Sequence, residues 1–176
     1  MHYNPEIHKR QSIRLKGYDY TQEGLYFITI CIQNRECLFG NIINGRMELN
    51  PLGIIVNTYW VEIPNHYPQV ELHEHIVMPN HLHGIIEIVG TCHGMSLQHP
   101  HERRFAKPIS GSVSTIINQY KSSVKRWCNK NNYEYFRWQS RFYDHIIRNE
   151  QSYQTISNYI VNNPAKWQDD TFFNNI

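Results

Sequence analysis

Two histidines, His81 and His83, flank a leucine in the stretch IVMPNHLHGIIEI at 76–88. On a β-strand, residues i and i+2 project from the same face, so both imidazoles stand side by side while Leu82 packs the other way. Imidazole is a common ligand for divalent ions, and this spacing lets two rings chelate one ion. Two ligands do not fill a coordination shell, so at least one more must come from elsewhere in the chain. Spacing alone also fits a pair of ordinary polar histidines. His73 and His75 repeat the pattern in HEH, beside Glu71 and Glu74. We favour His81 and His83 because they begin a strand directly after the Pro79-Asn80 bend, where strand ends meet loops and solvent. Cys92-His93 and His99/His101 have no C-x-x-C or H-x-x-x-H companion, so zinc is not indicated there.

A second pair lies near the end of the chain. Tyr159 and Asn163 are i and i+4, so a helix places them on one face about one turn apart. A phenol with an ordinary pKa of about 10 is a poor nucleophile at neutral pH. A metal that polarises a phosphate beside it makes attack feasible. An asparagine carbonyl oxygen suits Mg2+ or Mn2+. The helix alone equally fits a core-facing aromatic and a helix-terminal asparagine before Pro164. The chain holds twelve tyrosines, and Tyr143 and Tyr153 lie close enough in sequence to compete for the role. Tyr143 belongs to an aromatic-basic stretch, where packing or base stacking suits it better.

Regular elements must bring these pairs together. The segment 25–33 (LYFITICIQ) reads as a buried strand, being rich in β-branched and aromatic residues. Asn44-Gly45 marks a two-residue hairpin within 38–49. The apolar spacing of Ile55, Tyr59, Trp60 and Ile63 predicts a helix over 51–67. Strands follow over 69–78 and 81–89, separated by the Pro79-Asn80 turn. Val113, Ile116, Ile117, Tyr120, Val124, Trp127 and Cys128 form one stripe of a helix over 112–129, with Ser110 or Ser112 as its cap. The stretch 135–147 reads as a short strand plus loop. A last helix spans 148–163 with Tyr153, Ile156, Tyr159 and Ile160 on one face, and Pro164 ends it. This order predicts an α+β fold: an antiparallel sheet of the ferredoxin-like, split βαβ kind, flanked by helices.

At 176 residues the chain makes a single domain, 1–176, with 91–110 read as a mobile loop or insertion. Aromatics are 13% and charged residues 18%, which excludes a highly charged disordered chain. No apolar run suffices to span a bilayer, and the first twenty residues hold no apolar core of a signal peptide. Four cysteines without a C-x-x-C pair fit a reducing, cytoplasmic setting. Charge is unevenly spread: 103–148 carries net +8, against −4 for 1–102 and −2 for 149–176. A basic third on a near-neutral chain points to a polyanion-binding face, or to a merely solvated one.

The segment at 76–88, together with WQSRFYDHIIRNEQSYQTISNYIVNNP at 138–164, resembles the single-tyrosine transposases of the HUH class, in particular their REP-associated branch. HUH denotes histidine, bulky apolar, histidine: here His81, Leu82, His83. The second motif matches the branch's run of Trp-Gln, Arg-aromatic, acid-His, Ile-Arg-Asn, followed by a tyrosine and an Asn-Pro. The early stretch GYDYTQEGLYFITICIQNRECLFG is also typical, and the likeness covers about residues 13–167. It implies that His81, His83 and Asn163 bind a divalent metal, Mg2+ or Mn2+, and that Tyr159 is the nucleophile. It implies action on single-stranded or hairpin DNA through a 5′-phosphotyrosine link, with subunits that form either monomers or a homodimer. Lys121, Lys125, Arg126, Arg137, Arg141 and Arg148 would then line the DNA backbone, with Trp138 and Phe142 available for stacking and Arg14 and Lys16 as further grips. Two rival readings remain at this stage: a domesticated DNA- or RNA-binding module that keeps the fold without turnover, and a histidine-dependent phosphodiesterase.

Overall fold

A computed structural model describes residues 18–90 and 111–173. Arg14, Lys16 and the 91–110 segment lie outside the described residues. Along the chain run β1 (Gly24–Cys31), β2 (Gly40–Ile43), β3 (Arg46–Leu49), α1 (Pro51–Val61), α2 (Ile63–His66), β4 (Val70–Val77), β5 (His81–Ile88), α3 (Val113–Lys130), β6 (Tyr143–Ile147) and α4 (Glu150–Asn162).

Local chemistry explains the boundaries. Asn44 and Gly45 both hold positive φ (51° and 73°), which is what a tight two-residue hairpin turn demands. Asn50 caps α1 by accepting from the Gly53 amide at 2.9 Å, and Pro51 opens the first turn. Ser112 caps α3 through the Thr115 amide, and Asn149 caps α4 through the Ser152 amide at 2.8 Å. The last α-helix ends at Asn162, just before Pro164, as the sequence suggests. Asn163 keeps helical angles (φ −57°, ψ −43°), and the chain tightens into a short 3-10 helix over Pro164–Asp169. A proline tolerated at the first position of that new turn explains the continuity.

The main sheet has the order β4-β5-β1-β6 with every neighbouring pair antiparallel. β4 is therefore parallel to β1 across β5, and β6 is parallel to β5 across β1. These are two split βαβ units, the ferredoxin-like topology read from the element order. The β2–β3 hairpin forms a separate two-stranded sheet. Strand alternation sorts the side chains into two layers. Tyr26, Ile28 and Ile30 of β1 join Leu82 and Ile86 of β5 in the large core, with Val56 and Trp60 of α1 and Ile116, Tyr120 and Val124 of α3. Gly84 leaves the space that Trp60 fills; a Cβ there would stand 2.4 Å from the indole Cζ2. The opposite face carries Phe27, Thr29, His81, His83 and Ile85. There Ile85, Ile147 and Ile160 form a smaller core with Tyr153 and Ile156 of α4.

One register shift falls in β4. Leu72 pairs with Ile86 and His75 with Gly84, so His73 and Glu74 together stand opposite the single residue Ile85. This β-bulge breaks the i, i+2 rule. His75 turns to the helical layer, where its Nε2 meets Asn57 Oδ1 at 3.0 Å, whereas His73 meets α4. The two histidines of HEH share no face.

Candidate active site

β5 positions the histidine pair by strand parity, and α4 lies across the same face. His81 and His83 are adjacent, with ring centroids 4.4 Å apart. Both are shut from solvent, at 0% and 1% exposure. Burial, with His83 and Arg35 adding to it, holds His81 well below the ordinary histidine range. Burial likewise pulls His83 down to about 4, opposed by the Asp170 carboxylate. Both rings are neutral at neutral pH, the form that ligates metal.

Hydrogen bonds fix which nitrogens face inward. The Asn80 side-chain NH2 donates to the carbonyls of Arg35 (3.0 Å) and Phe172 (2.8 Å). Its oxygen is thus left to accept from His81 Nδ1 at 2.8 Å. A neutral ring that donates from Nδ1 bears a lone pair on Nε2, and His81 Nε2 is buried with no hydrogen-bond partner. His83 Nδ1 meets Thr29 Oγ1 at 2.8 Å, and its Nε2 meets the Tyr159 hydroxyl at 3.1 Å. Second contacts of this kind orient imidazoles toward a shared cation.

The nucleophile candidate reaches this pair within one chain. Tyr159 is 42% exposed, and its hydroxyl also donates toward Asp170 Oδ2 at 3.4 Å. Burial first, then the Asp170 charge, pushes its phenol up to about 12. Asn163 is buried; its NH2 donates to Asp170 Oδ2 at 2.7 Å, and its Oδ1 is without a partner. His81, His83 and Asp170 each offer a ligand atom, all within 4.8 Å of one another. Asp170 was not legible as a site residue: it sits beyond Pro164, and only the 3-10 turn brings it back over β5. Asn80, Thr29 and Phe172 were missed for the same reason, since contacts made by turns and returning segments leave no periodic signal.

The returning segment also covers the site. The Phe172 ring lies 4.6 Å from that of His81, and Trp167 lies at 5.9 Å. Arg35 holds this cover by stacking on Phe172 and donating to the Thr171 carbonyl at 2.9 Å. Beside Tyr159 a cavity of about 350 Å3 is lined by Asn158, Asn162, Asn163, Lys166 and Asp170.

Comparison with known proteins fits this geometry. No family model matches the chain. An uncharacterized protein of Haemophilus influenzae is 47% identical over 175 residues, 97% of each chain. A second H. influenzae protein, which carries the name of a REP-associated tyrosine transposase, is 24% identical over 155 residues, covering 84% of this chain and 74% of the relative. The solved structure of a REP-associated tyrosine transposase bound to a REP hairpin shares the fold, with a TM-score of 0.58 at 20% identity over 88% of this chain and 74% of that one. What the likeness to the solved structure shows for this chain is the fold.

The basic residues that the sequence suggests as a DNA face fall into two groups. Lys121 is buried, and its ammonium donates to the carbonyls of Gln139 (2.7 Å) and Ser140 (3.3 Å). Lys125 donates to those of Glu134 and Phe136, and Arg137 bonds the same two carbonyls. These cations pin the 134–140 segment to α3. Trp138, partly buried, packs against Phe39, Phe136 and Tyr120 at the edge of the main core. Arg126, Arg141 and Arg148 are exposed. Among the described residues α4 packs over β4 and β5, which leaves the β6 half of this sheet face open. Tyr143, opposite Thr29, and His145, opposite Phe27, are exposed there.

Proposed function

We propose that the protein is a metal-dependent single-stranded DNA endonuclease and strand transferase, a transposase that links itself to DNA through Tyr159. The observation that carries this reading is the Tyr159 hydroxyl, 3.1 Å from His83 Nε2 in a site where His81 Nε2 and Asn163 Oδ1 lack partners. Two imidazole nitrogens, a carboxylate and an amide oxygen make a donor set suited to Mg2+ or Mn2+, which His81 and His83 would hold with Asp170 and Asn163. Such an ion, when bound, neutralises charge on the phosphate and lowers the cost of forming a phenolate.

The chain's own groups supply the rest. The Tyr159 oxygen bonds to phosphorus, and the bond from phosphorus to the 3′ oxygen breaks. The departing oxygen takes up a proton to become a 3′-OH, and the 5′ end stays esterified to tyrosine. Asp170 Oδ2, 3.4 Å from the hydroxyl, accepts the phenol proton. The reverse attack by a 3′-OH rejoins DNA with no external energy source. Single-stranded or hairpin DNA would approach over the open β6 half of the sheet, past Tyr143, with Arg141 and Arg148 near its phosphates and Arg126 further along α3. Because Tyr159 meets the histidines of its own chain, one subunit suffices.

The cover over His81 and His83 favours a second reading, a nucleic-acid-binding module that keeps the fold without turnover. Incubation with a hairpin oligonucleotide bearing a single-stranded flank and Mn2+ separates the two. A covalent protein–DNA band under denaturing conditions, lost in Tyr159→Phe, supports the transferase. Salt-sensitive binding with no covalent band on any substrate supports the module.

A further inference from the structure

The HEH stretch of β4 has no part in the metal site, yet its bulge gives it a defined task. His73 and Glu74 are adjacent in sequence, and both turn to α4 because the bulge sets them against one partner residue. The Tyr153 hydroxyl of α4 donates to Glu74 Oε2 at 3.0 Å and contacts His73 Nδ1 at 3.2 Å. Ser157, one turn further along α4, also bonds the Glu74 side chain. His73 Nε2 meets Glu87 Oε2 of β5 at 2.8 Å. The helix that carries Tyr159 is thus tied to the strands next to the histidines at two successive turns.

Counting protons shows how the network closes. The single hydroxyl proton of Tyr153 goes to Glu74, so the phenol oxygen must accept from His73 Nδ1. The carboxylate of Glu87 can only accept, so His73 Nε2 must donate as well. Both bonds therefore exist together only when His73 carries two protons. Glu74 and Glu87 from the sheet and Glu150 from α4 are the carboxylates that act on the Tyr153 hydroxyl.

We propose that Glu74, His73 and Tyr153 form a latch that positions the nucleophile helix, holding Tyr159 in register with His81 and His83. These are positioning residues, since none touches the reacting atoms. The inference rests on the transferase reading for its consequence in catalysis, though the latch itself does not. A displacement of about 1 Å in a reacting group costs on the order of 100-fold in rate, so a loosened helix slows the chemistry without weakening DNA binding.

The test uses the full chain with Tyr153→Phe, Glu74→Ala and Glu74→Gln. Amide hydrogen exchange across α4, measured without metal or DNA, should rise roughly tenfold in Tyr153→Phe and Glu74→Ala. It should rise less in Glu74→Gln, whose side-chain oxygen still accepts. With hairpin DNA and Mn2+, the rate of covalent adduct formation should fall roughly 10–100-fold while hairpin affinity stays within twofold. Unchanged α4 exchange in Tyr153→Phe and Glu74→Ala would overturn the latch. So would a parallel loss of binding, rate and melting temperature, with Glu74→Gln as impaired as Glu74→Ala, because that describes a merely structural role. If no variant forms an adduct, the wild type included, raised exchange upholds the latch and the transferase reading fails instead.

Discussion

Asn80 determines which nitrogen of His81 is left without a partner. With its NH2 committed to two carbonyls, its oxygen admits only an N–H from the ring. Asn80→Ala should free the ring to change tautomer and should lower Mn2+ affinity roughly 10–100-fold, read by calorimetric titration. An unchanged affinity would remove Asn80 from the support of the site. The pH dependence has a fixed sign. His83 titrates at about 4 in the folded chain, below the ordinary 6.5. Between those values the unfolded chain binds a proton that the folded one refuses, so this contribution is complete above pH 6.5 and is lost as pH falls toward 4. The linkage amounts to at most roughly 3 kcal/mol for this ring. Metal-free protein should melt at progressively lower temperature across that window, and His83→Gln should flatten the slope. At this scale the simple periods put His81 with His83 on one strand face, where the structure has them 4.4 Å apart, and the resemblance singled out Tyr159 and Asn163. Asp170 and Asn80 obey none: their roles depend on where a turn ends and how a tail returns.

The elements were legible where local chemistry dictates them. Asn44-Gly45 forced the hairpin, Pro51 and Ser112 marked helix starts, and the stripe from Val113 to Cys128 set the buried side of α3. Two features were hidden. The bulge at His73–Glu74 leaves the alternation of QVELHEHIVM intact on paper while turning His75 away from His73. Lys121 and Trp138 read as surface chemistry because a basic-aromatic run looks alike whether it grips a polyanion or clamps its own backbone. The tail over the site yields an element-scale prediction. Phe172 and Trp167 cover the His81 ring, so Phe172→Ala should expose it without touching the ligand atoms. Metal association and adduct formation should then quicken several-fold in stopped-flow and quenched time courses. A slower adduct with weaker metal binding would show instead that the ring supports the site.

Over the whole molecule, the ferredoxin-like sheet divides labour between its faces. One face carries the large core beneath α1 and α3. The other carries the histidines, with α4 over β4 and β5. Tyr159 and the histidines meet within a single chain, which predicts the outcome of mixing inactive partners. Tyr159→Phe and His83→Ala proteins, each silent alone, should stay silent when combined; recovered activity would mean that subunits exchange α4. Among the described residues no helix is long and apolar enough to cross a membrane, and the net +8 of 103–148 fits a nucleic-acid partner. Part of that charge, Lys121 foremost, is spent on internal carbonyls, so the salt dependence of DNA binding should be shallower than a count of basic residues implies.

The most direct test is to identify the residue that carries DNA. After reaction with a hairpin oligonucleotide and Mn2+, nuclease trimming and proteolysis, mass spectrometry should find nucleotide on the peptide containing Tyr159, and a chelator should abolish it. Nucleotide on Tyr143 or Tyr153, or linkage that persists without a divalent ion, would contradict the account.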